Sequence, residues 1–509
     1  MRLPREIRAP AAVFAATALF VVWLWGSLRA PSFVHDEAAY RLQARIFASF
    51  RWSAPAPPLP EFFEQYHVLV TPRLAPKYPP GHALLLVPGA WLDLPGLVPV
   101  LLQGLAAALF FVLARRLSDG WVAALAWLVW LSAPALNLWR ATYLSQSTST
   151  AVWMLGAWLL LRWWETGRRL DLVGVAMTVA WMGLTRPLTG VAFALPIGIV
   201  VLVRTWRRRR WADLGVAVVA ALPILALVPI WAKASTGDWR TIPYSHYSRV
   251  YFPYQKLGFG AEPTPPLREL PADMRVFDEQ FRAMHGAYTA AALPRNLAER
   301  VRAAGNELFG GSRWRPFLLV FFVVGLLALG SRGWFAVSWV PALFLVYLAF
   351  AHETSWAVYY YEIQAIPAYV AALGLVRVLR AGLERARAAS ATASPLALPA
   401  SLLAVLVAVL GLADSDAPRR EIRRRTAYAG AFARALDGIP EPKAIVFVRY
   451  GPAHSPHQGL IENPPDFSEA RIWTAWDRGP DNARLAALAP DRALYLFDEG
   501  SWTLYRLSR

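Results

Sequence analysis

The sequence predicts an α-helical polytopic membrane protein, with about eleven transmembrane helices and a small α/β extracytoplasmic domain at its C-terminal end. Three observations carry that reading. The 509 residues are 56% hydrophobic and include 24 tryptophans, too apolar a composition for a string of soluble domains. Apolar runs long enough to cross a bilayer, roughly 17–25 residues each, recur from Ala11 to Ala413 with no charge at their centres. Past them, roughly the last hundred residues turn polar and alternate short apolar stretches with basic ones.

Taken in order, the chain opens with "MRLPREIRAP" ahead of "AAVFAATALFVVWLWGSL". The apolar part is long and has no small-residue cleavage site, which predicts a retained signal anchor. With Arg2, Arg5 and Arg8 placed inside, spans thread at about 10–28, 97–115, 121–139, 148–164, 172–185, 187–204, 213–234, 316–331, 334–350, 365–380 and 394–413. The loops that then fall inside hold Arg115 and Arg116, Arg162, Arg168 and Arg169, Arg204 and Arg207 to Arg210, Arg332, and Arg377, Arg380, Arg385 and Arg387. Arg419, Arg420 and Arg423 to Arg425 fall outside and run against the pattern, which long C-terminal domains follow poorly.

This threading divides the chain into a membrane domain, 1–414, with external loops at about 29–96 and 236–315, and a soluble domain, 415–509. The first loop holds two amphipathic candidates, "EAAYRLQARIFASF" and "HALLLVPGAWL"; the second is rich in tyrosine, proline and arginine. In the tail, "KAIVFVRY", "ARIWTAW" and "RALYLF" read as strands, and "RREIRRRTAYAGAFARAL" and "DNARLAALA" as helices.

The formal charge of +18 comes from arginine, the only lysines being Lys77, Lys233, Lys256 and Lys443. Because these cations flank spans, the charge predicts membrane orientation and argues against nucleic-acid binding. Cysteine is absent, which removes disulfides, thiolate metal sites and a cysteine nucleophile. There is no Walker sequence, no GxSxG, no HExxH and no metal-ligand spacing. His67, His246, His285, His454 and His457 read as isolated loop histidines facing solvent.

Four stretches carry candidate chemistry. In "PSFVHDEAAYRLQARIF", Asp36 and Glu37 stand where a helix begins; Asp36 reads either as its cap or as a general base, with His35 adjacent. In "LAPKYPPGHALLL", two prolines and Gly81 lead into an interfacial helix. Lys77 there, in a chain that otherwise uses arginine, suits a lipid phosphate as a compact point charge. Tyr78 and His82 flank it. In "GLTRPLTGVAFALP", Arg186 reads either as a snorkelling residue in a helical hairpin or as a second phosphate contact. In "AHETSWAVYYYEIQAIPAY", His352, Glu353, Tyr360, Tyr361 and Glu362 read either as an interfacial aromatic belt or as substrate contacts. A polar turn from Tyr143 through Gln146 to Ser147 adds to these. The threading brings all of them to the outer side of the membrane.

On these stretches the chain resembles the GT-C superfamily of membrane glycosyltransferases, which includes protein O-mannosyltransferases and lipid A aminoarabinose transferases, and most resembles uncharacterised bacterial members. "HDEAAY" is similar to the acidic motif of the first external loop, "KYPPGHALL" to a Lys-Pro-Pro element, and "GLTRPLTGVAFALP" to a Lys-Gly-Pro element with Arg186 in place of lysine. Where many relatives carry a second aspartate, this sequence reads "YLSQSTST". The resemblance implies a bacterial inner-membrane enzyme that moves a sugar from a polyprenyl-phosphate donor to a lipid, glycan or protein acceptor on the extracytoplasmic face, with inversion. It implies Asp36 as base, with Glu37 beside it, and Lys77, Arg186 and His82 at the donor phosphate. His35, Tyr78, Tyr143, Gln146, His352, Glu353, Tyr360, Tyr361 and Glu362 are then expected at the substrates. No cofactor is required, and a divalent metal stays open. The competing classes are a transporter or lipid flippase, which would show charges or broken helices near mid-membrane, a lipid-linked glycan ligase or polymerase, and a scaffold in which Asp36 only caps a helix.

Overall fold

Helices form along the apolar runs, and the computed structural model describes them over residues 5–261, 264–389 and 396–508. Arg2 and the first two residues of the last expected span lie outside the described residues. By contact the chain divides into two units. One comprises Met1–Ser27, Leu97–Leu225 and Ala291–Arg423; the other comprises Leu28–Gly96, Ala226–Ala290 and Arg424–Arg509.

The first unit is helical. Leu97–Leu117 packs on Arg5–Trp25, Gly120–Leu131 and Gln146–Thr166, and Leu318–Leu327 packs on Ala365–Ala389. The last pair meets through glycines. A Cβ on Gly374 would sit 1.8 Å from the Phe321 carbonyl oxygen, and one on Gly325 would sit 1.9 Å from that of Val370, so only glycine allows the backbones this approach. Around these helices lie Phe110, Val129, Trp130 and Val370 in one apolar cluster and Trp153, Phe193, Trp339 and Leu343 in another.

Among the described residues six helices are long and apolar enough to cross a membrane, or seven if one bent pair counts as a single span. The sequence marked eleven runs, but several fold short. Leu318–Leu327 has 10 residues, about 15 Å at 1.5 Å per residue, which is half a hydrocarbon core.

The expected span 121–139 is corrected. It breaks into Gly120–Leu131 and Pro134–Arg140, bent by 74°. Pro134 cannot continue the helix, and the carbonyls freed at the break are satisfied by two buried arginines. Arg315 Nη2 donates to the Val129 oxygen at 2.8 Å, and Arg140 Nη2 donates to that of Trp130 at 2.6 Å. The run therefore does not form one unbroken helix.

In the second unit, His35–Ala48 packs on Gly81–Trp91. Between them runs a small antiparallel ribbon in which Arg73–Pro76 pairs with both Ala54–Pro55 and Val68–Leu69. The second loop adds Pro243–Tyr251 and Ala272–Ala287. The tail carries a four-stranded sheet in the order Ile472–Trp476, Ala444–Arg449, Ala493–Asp498, Thr503–Arg506, the first three parallel and the last antiparallel. The three strands read from sequence are present; Thr503–Arg506, an edge strand without a buried face, gave no apolar signal. Trp476 Nε1 donates to the Glu64 carbonyl oxygen at 2.8 Å, tying this sheet to the first loop's residues.

Candidate active site

Asp36 is the second residue of the helix His35–Ala48, whose N-cap position is Val34. It is not the cap. Glu37 is: its Oε2 accepts from Phe33 N at 2.8 Å and Val34 N at 3.4 Å, and its side chain is buried. This is the carboxylate half of a capping box, an N3 glutamate folding back over the helix start. The cap reading of Asp36 is thus corrected, and Asp36 is left half-open to its surroundings.

Three side chains converge on Asp36. The Tyr78 hydroxyl donates a short hydrogen bond to Oδ1. His35 Nε2 lies 3.3 Å and His67 Nε2 3.5 Å from Oδ2. The ribbon explains why His67 is there. Val68 pairs with Pro76, and Lys77 N donates to the His67 carbonyl oxygen at 2.8 Å, so His67 and Lys77 are the next rung of one ladder. His457, from the loop after Ala444–Arg449, stacks at 5.8 Å on His35, and its carbonyl oxygen accepts from His35 N at 3.3 Å.

The reading of isolated histidines as solvent-facing is corrected for His67, His285 and His454, whose side chains are buried. Burial is a tertiary property, and nothing beside a lone histidine in sequence announces it.

The Asp36 carboxyl and the two imidazoles beside it are each shifted down from their ordinary values. Burial pushes the Asp36 carboxyl up, but His67, His35 and the Tyr78 hydroxyl outweigh it and hold the group well below the usual carboxylate range. Burial, with Lys77 next in size, lowers His67 to about 4. Burial, followed by His67, takes His35 well below its ordinary value. Lys77 is enclosed: its Nζ lies 4.8 Å from the ring centres of Tyr244 and Tyr247, 5.5 Å from that of Tyr78 and 3.5 Å from Gln255 Oε1. Burial brings its pKa down to about 7, with Asp36 opposing. His82, expected at the phosphate, is fully buried and packs edge-on against Tyr40, which stacks on Tyr78.

His35, Asp36 and His67 each offer a ligand atom within 4.8 Å of the others. Two neutral imidazoles and a carboxylate suit a late first-row divalent ion. His35 Nδ1 and His67 Nδ1 are buried with no hydrogen-bond partner among the described residues. Sequence spacing gave no sign of this cluster because His67 arrives through the ribbon.

The remaining expected residues lie in the other unit. Glu362 is fully buried; its Oε1 accepts from Ser149 Oγ at 2.5 Å and lies 3.2 Å from Arg186 Nε. Arg186 also donates to Thr189 Oγ1 at 3.2 Å, Ser145 Oγ at 3.3 Å and Tyr347 OH at 3.1 Å. Gln146 Nε2 donates to the Val358 oxygen at 3.3 Å. His352 Nε2 is 3.2 Å from Tyr360 OH, and Tyr361 OH donates to Gln103 Oε1 at 3.4 Å. Tyr143 is buried 4.7 Å from the Trp25 ring, whereas Glu353 is exposed. Sequence reasoning missed the fully buried Arg300, whose guanidinium donates to the carbonyls of Tyr347, Phe350 and His352 and ties down the stretch that carries these residues.

No protein family and no curated protein matches the chain by sequence. Its fold does match solved structures. It superposes on ArnT from Cupriavidus metallidurans bound to undecaprenyl phosphate with a TM-score of 0.53 at 15% identity, covering 96% of this chain and 92% of that one. On apo ArnT the TM-score is 0.52 at 17% identity, with the same coverage. The archaeal oligosaccharyltransferase AglB from Archaeoglobus fulgidus aligns with 87% of this chain and 62% of its own at 12% identity, with a TM-score of 0.42, too low to carry an argument. The chain has a GT-C-like fold.

Proposed function

We propose that the protein is a membrane glycosyltransferase that moves a sugar from a polyprenyl-phosphate donor to an acceptor hydroxyl on the extracytoplasmic face, with inversion. The observation that carries the proposal is a half-open Asp36, held by the Tyr78 hydroxyl, beside an enclosed Lys77, on a fold shared with a protein that binds undecaprenyl phosphate.

In this mechanism Asp36 takes the proton of the acceptor hydroxyl. The acceptor oxygen bonds to the anomeric carbon as the bond from that carbon to the phosphate oxygen breaks. The electron pair leaves with the lipid phosphate, and Lys77 stabilises the developing charge. Tyr78 orients the carboxylate through Oδ1, and Glu37 fixes the helix start that aims it. A divalent ion held by His35, Asp36 and His67 would add positive charge at the acceptor oxygen. Phosphate contact by Arg186 belongs to the same proposal, with the added cost that its guanidinium already serves Glu362. Substrate contact by the remaining expected residues belongs to it as well.

The broken helix is the feature that favours transport, since such breaks line ion and substrate pathways. Here Arg140 and Arg315 occupy carbonyls at the break, which leaves the glycosyl-transfer reading stronger.

Asp36→Asn is the decisive change. Asparagine cannot take the proton, and the capping role belongs to Glu37, so the variant is expected to melt like the parent while losing about 10²–10⁴ in transfer rate. Near-parental transfer from a bound polyprenyl-phosphate sugar would remove Asp36 from the chemistry.

A further inference from the structure

A groove in the first unit runs between the helices Leu97–Leu117, Gln146–Thr166, Ser331–Tyr347 and Ala365–Ala389. Counted with the space open at its mouth, it spans about 900 Å³. Phe110, Leu113, Trp153, Leu161, Phe335 and Trp339 give it an apolar wall, and Arg332 is the one charged residue on its lining among the described residues.

At that end charge is unbalanced. Arg332 Nη1 lies 2.9 Å from Glu165 Oε1, and Arg116 Nη1 lies 3.4 Å from Glu165 Oε2, so two guanidinium groups share one carboxylate. All three side chains are a third to a half exposed and accessible to a ligand. A basic pocket between membrane helices, continuous with an apolar groove, has the chemistry of an anionic lipid site.

We propose that this groove binds an anionic phospholipid, its acyl chain along the apolar wall and its head-group phosphate at Arg332 and Arg116. This place lies apart from the Arg186 and Glu362 cluster. Along Gln146–Thr166, Glu165 is 16 residues past Ser149, the residue bonded to Glu362, which is about 24 Å at 1.5 Å per residue. A head group at Arg332 is therefore nearly a membrane's hydrocarbon thickness from Arg186 and Glu362. The proposal does not rest on the glycosyl-transfer reading.

The test is native mass spectrometry of the full chain after exposure to vesicles of phosphatidylglycerol, of phosphatidylcholine, or of phosphatidylglycerol carrying undecaprenyl phosphate. The expected result is retained phosphatidylglycerol, preferred over phosphatidylcholine by about tenfold or more. Arg332→Ala should abolish that preference, and Ala157→Phe, which fills the groove, should reduce retention of either phospholipid. Equal retention of both phospholipids, a preference that survives Arg332→Ala, or undecaprenyl phosphate displacing phosphatidylglycerol from the parent but not from Arg332→Ala would each overturn it.

Discussion

Lys77 is a cation held where its charge is disfavoured. Burial lowers its pKa to about 7, so the ammonium form is present below that pH and is lost above it. A lipid phosphate binds the charged form, so its affinity should fall by up to about tenfold per pH unit above 7. Lys77→Arg, which keeps its charge at any working pH, should flatten that dependence; binding isotherms between pH 6 and 9 for parent and variant check this. A parent curve as flat as the variant's would place Lys77 away from the phosphate.

Arg186 poses the opposite problem. Its partner Glu362 is fully buried, and removing one member of a buried pair costs about 3–5 kcal/mol. Arg186→Gln should therefore lower thermal stability strongly, and the double change with Glu362→Gln should recover much of the loss. Weaker donor binding in Arg186→Gln alone would report the collapse of this turn, so phosphate contact has to be judged by Arg186→Lys.

Among the elements, the crossing of Leu318–Leu327 and Ala365–Ala389 depends on two glycines. With a Cβ on Gly374 only 1.8 Å from the Phe321 oxygen, Gly374→Ala forces Leu318–Leu327 away from Ala365–Ala389, an overpacking cost of about 1–3 kcal/mol. Gly382 in the same helix meets nothing within 4 Å, and its change to alanine should be neutral or stabilise by up to about 1 kcal/mol. Melting curves of the two variants in one detergent decide the comparison. Elements of this kind were partly legible in the sequence. The tail strands "AIVFVR", "IWTAW" and "ALYLFD" were readable because each is a short apolar run. At the break after Leu131, Pro134 was a local sign, whereas its compensation by Arg140 and Arg315 was not legible, because the two arginines are far apart in the chain. The site divides in the same way. Asp36, Lys77 and Tyr78 were legible from local motifs, whereas His67 depends on ribbon register and His457 on a loop from the tail.

For the whole molecule, arginine placement remains the argument for orientation. The first apolar helix carries Arg5 and Arg8 at its start, and the paired arginines Arg115 and Arg116 end the next long one. Basic residues also end the helix Pro187–Arg208. If these ends face the cytoplasm, as the positive-inside rule requires, the N-terminus is inside while Asp36 and the tail sheet are outside. Arg419, Arg420, Arg423, Arg424 and Arg425 oppose this by their number, but Arg419 packs over the Trp23 ring at 4.3 Å, a job that does not depend on which side it faces. The absence of cysteine makes the test direct. Single cysteines at Ser49 and Ser455, both exposed, should react with a membrane-impermeant maleimide added outside intact cells, whereas one at Arg209 should react only after permeabilisation. Labelling of Ser49 and Ser455 from the cytoplasmic side alone would put Asp36 on the wrong face for an outside acceptor, and the catalytic proposal would fall with it.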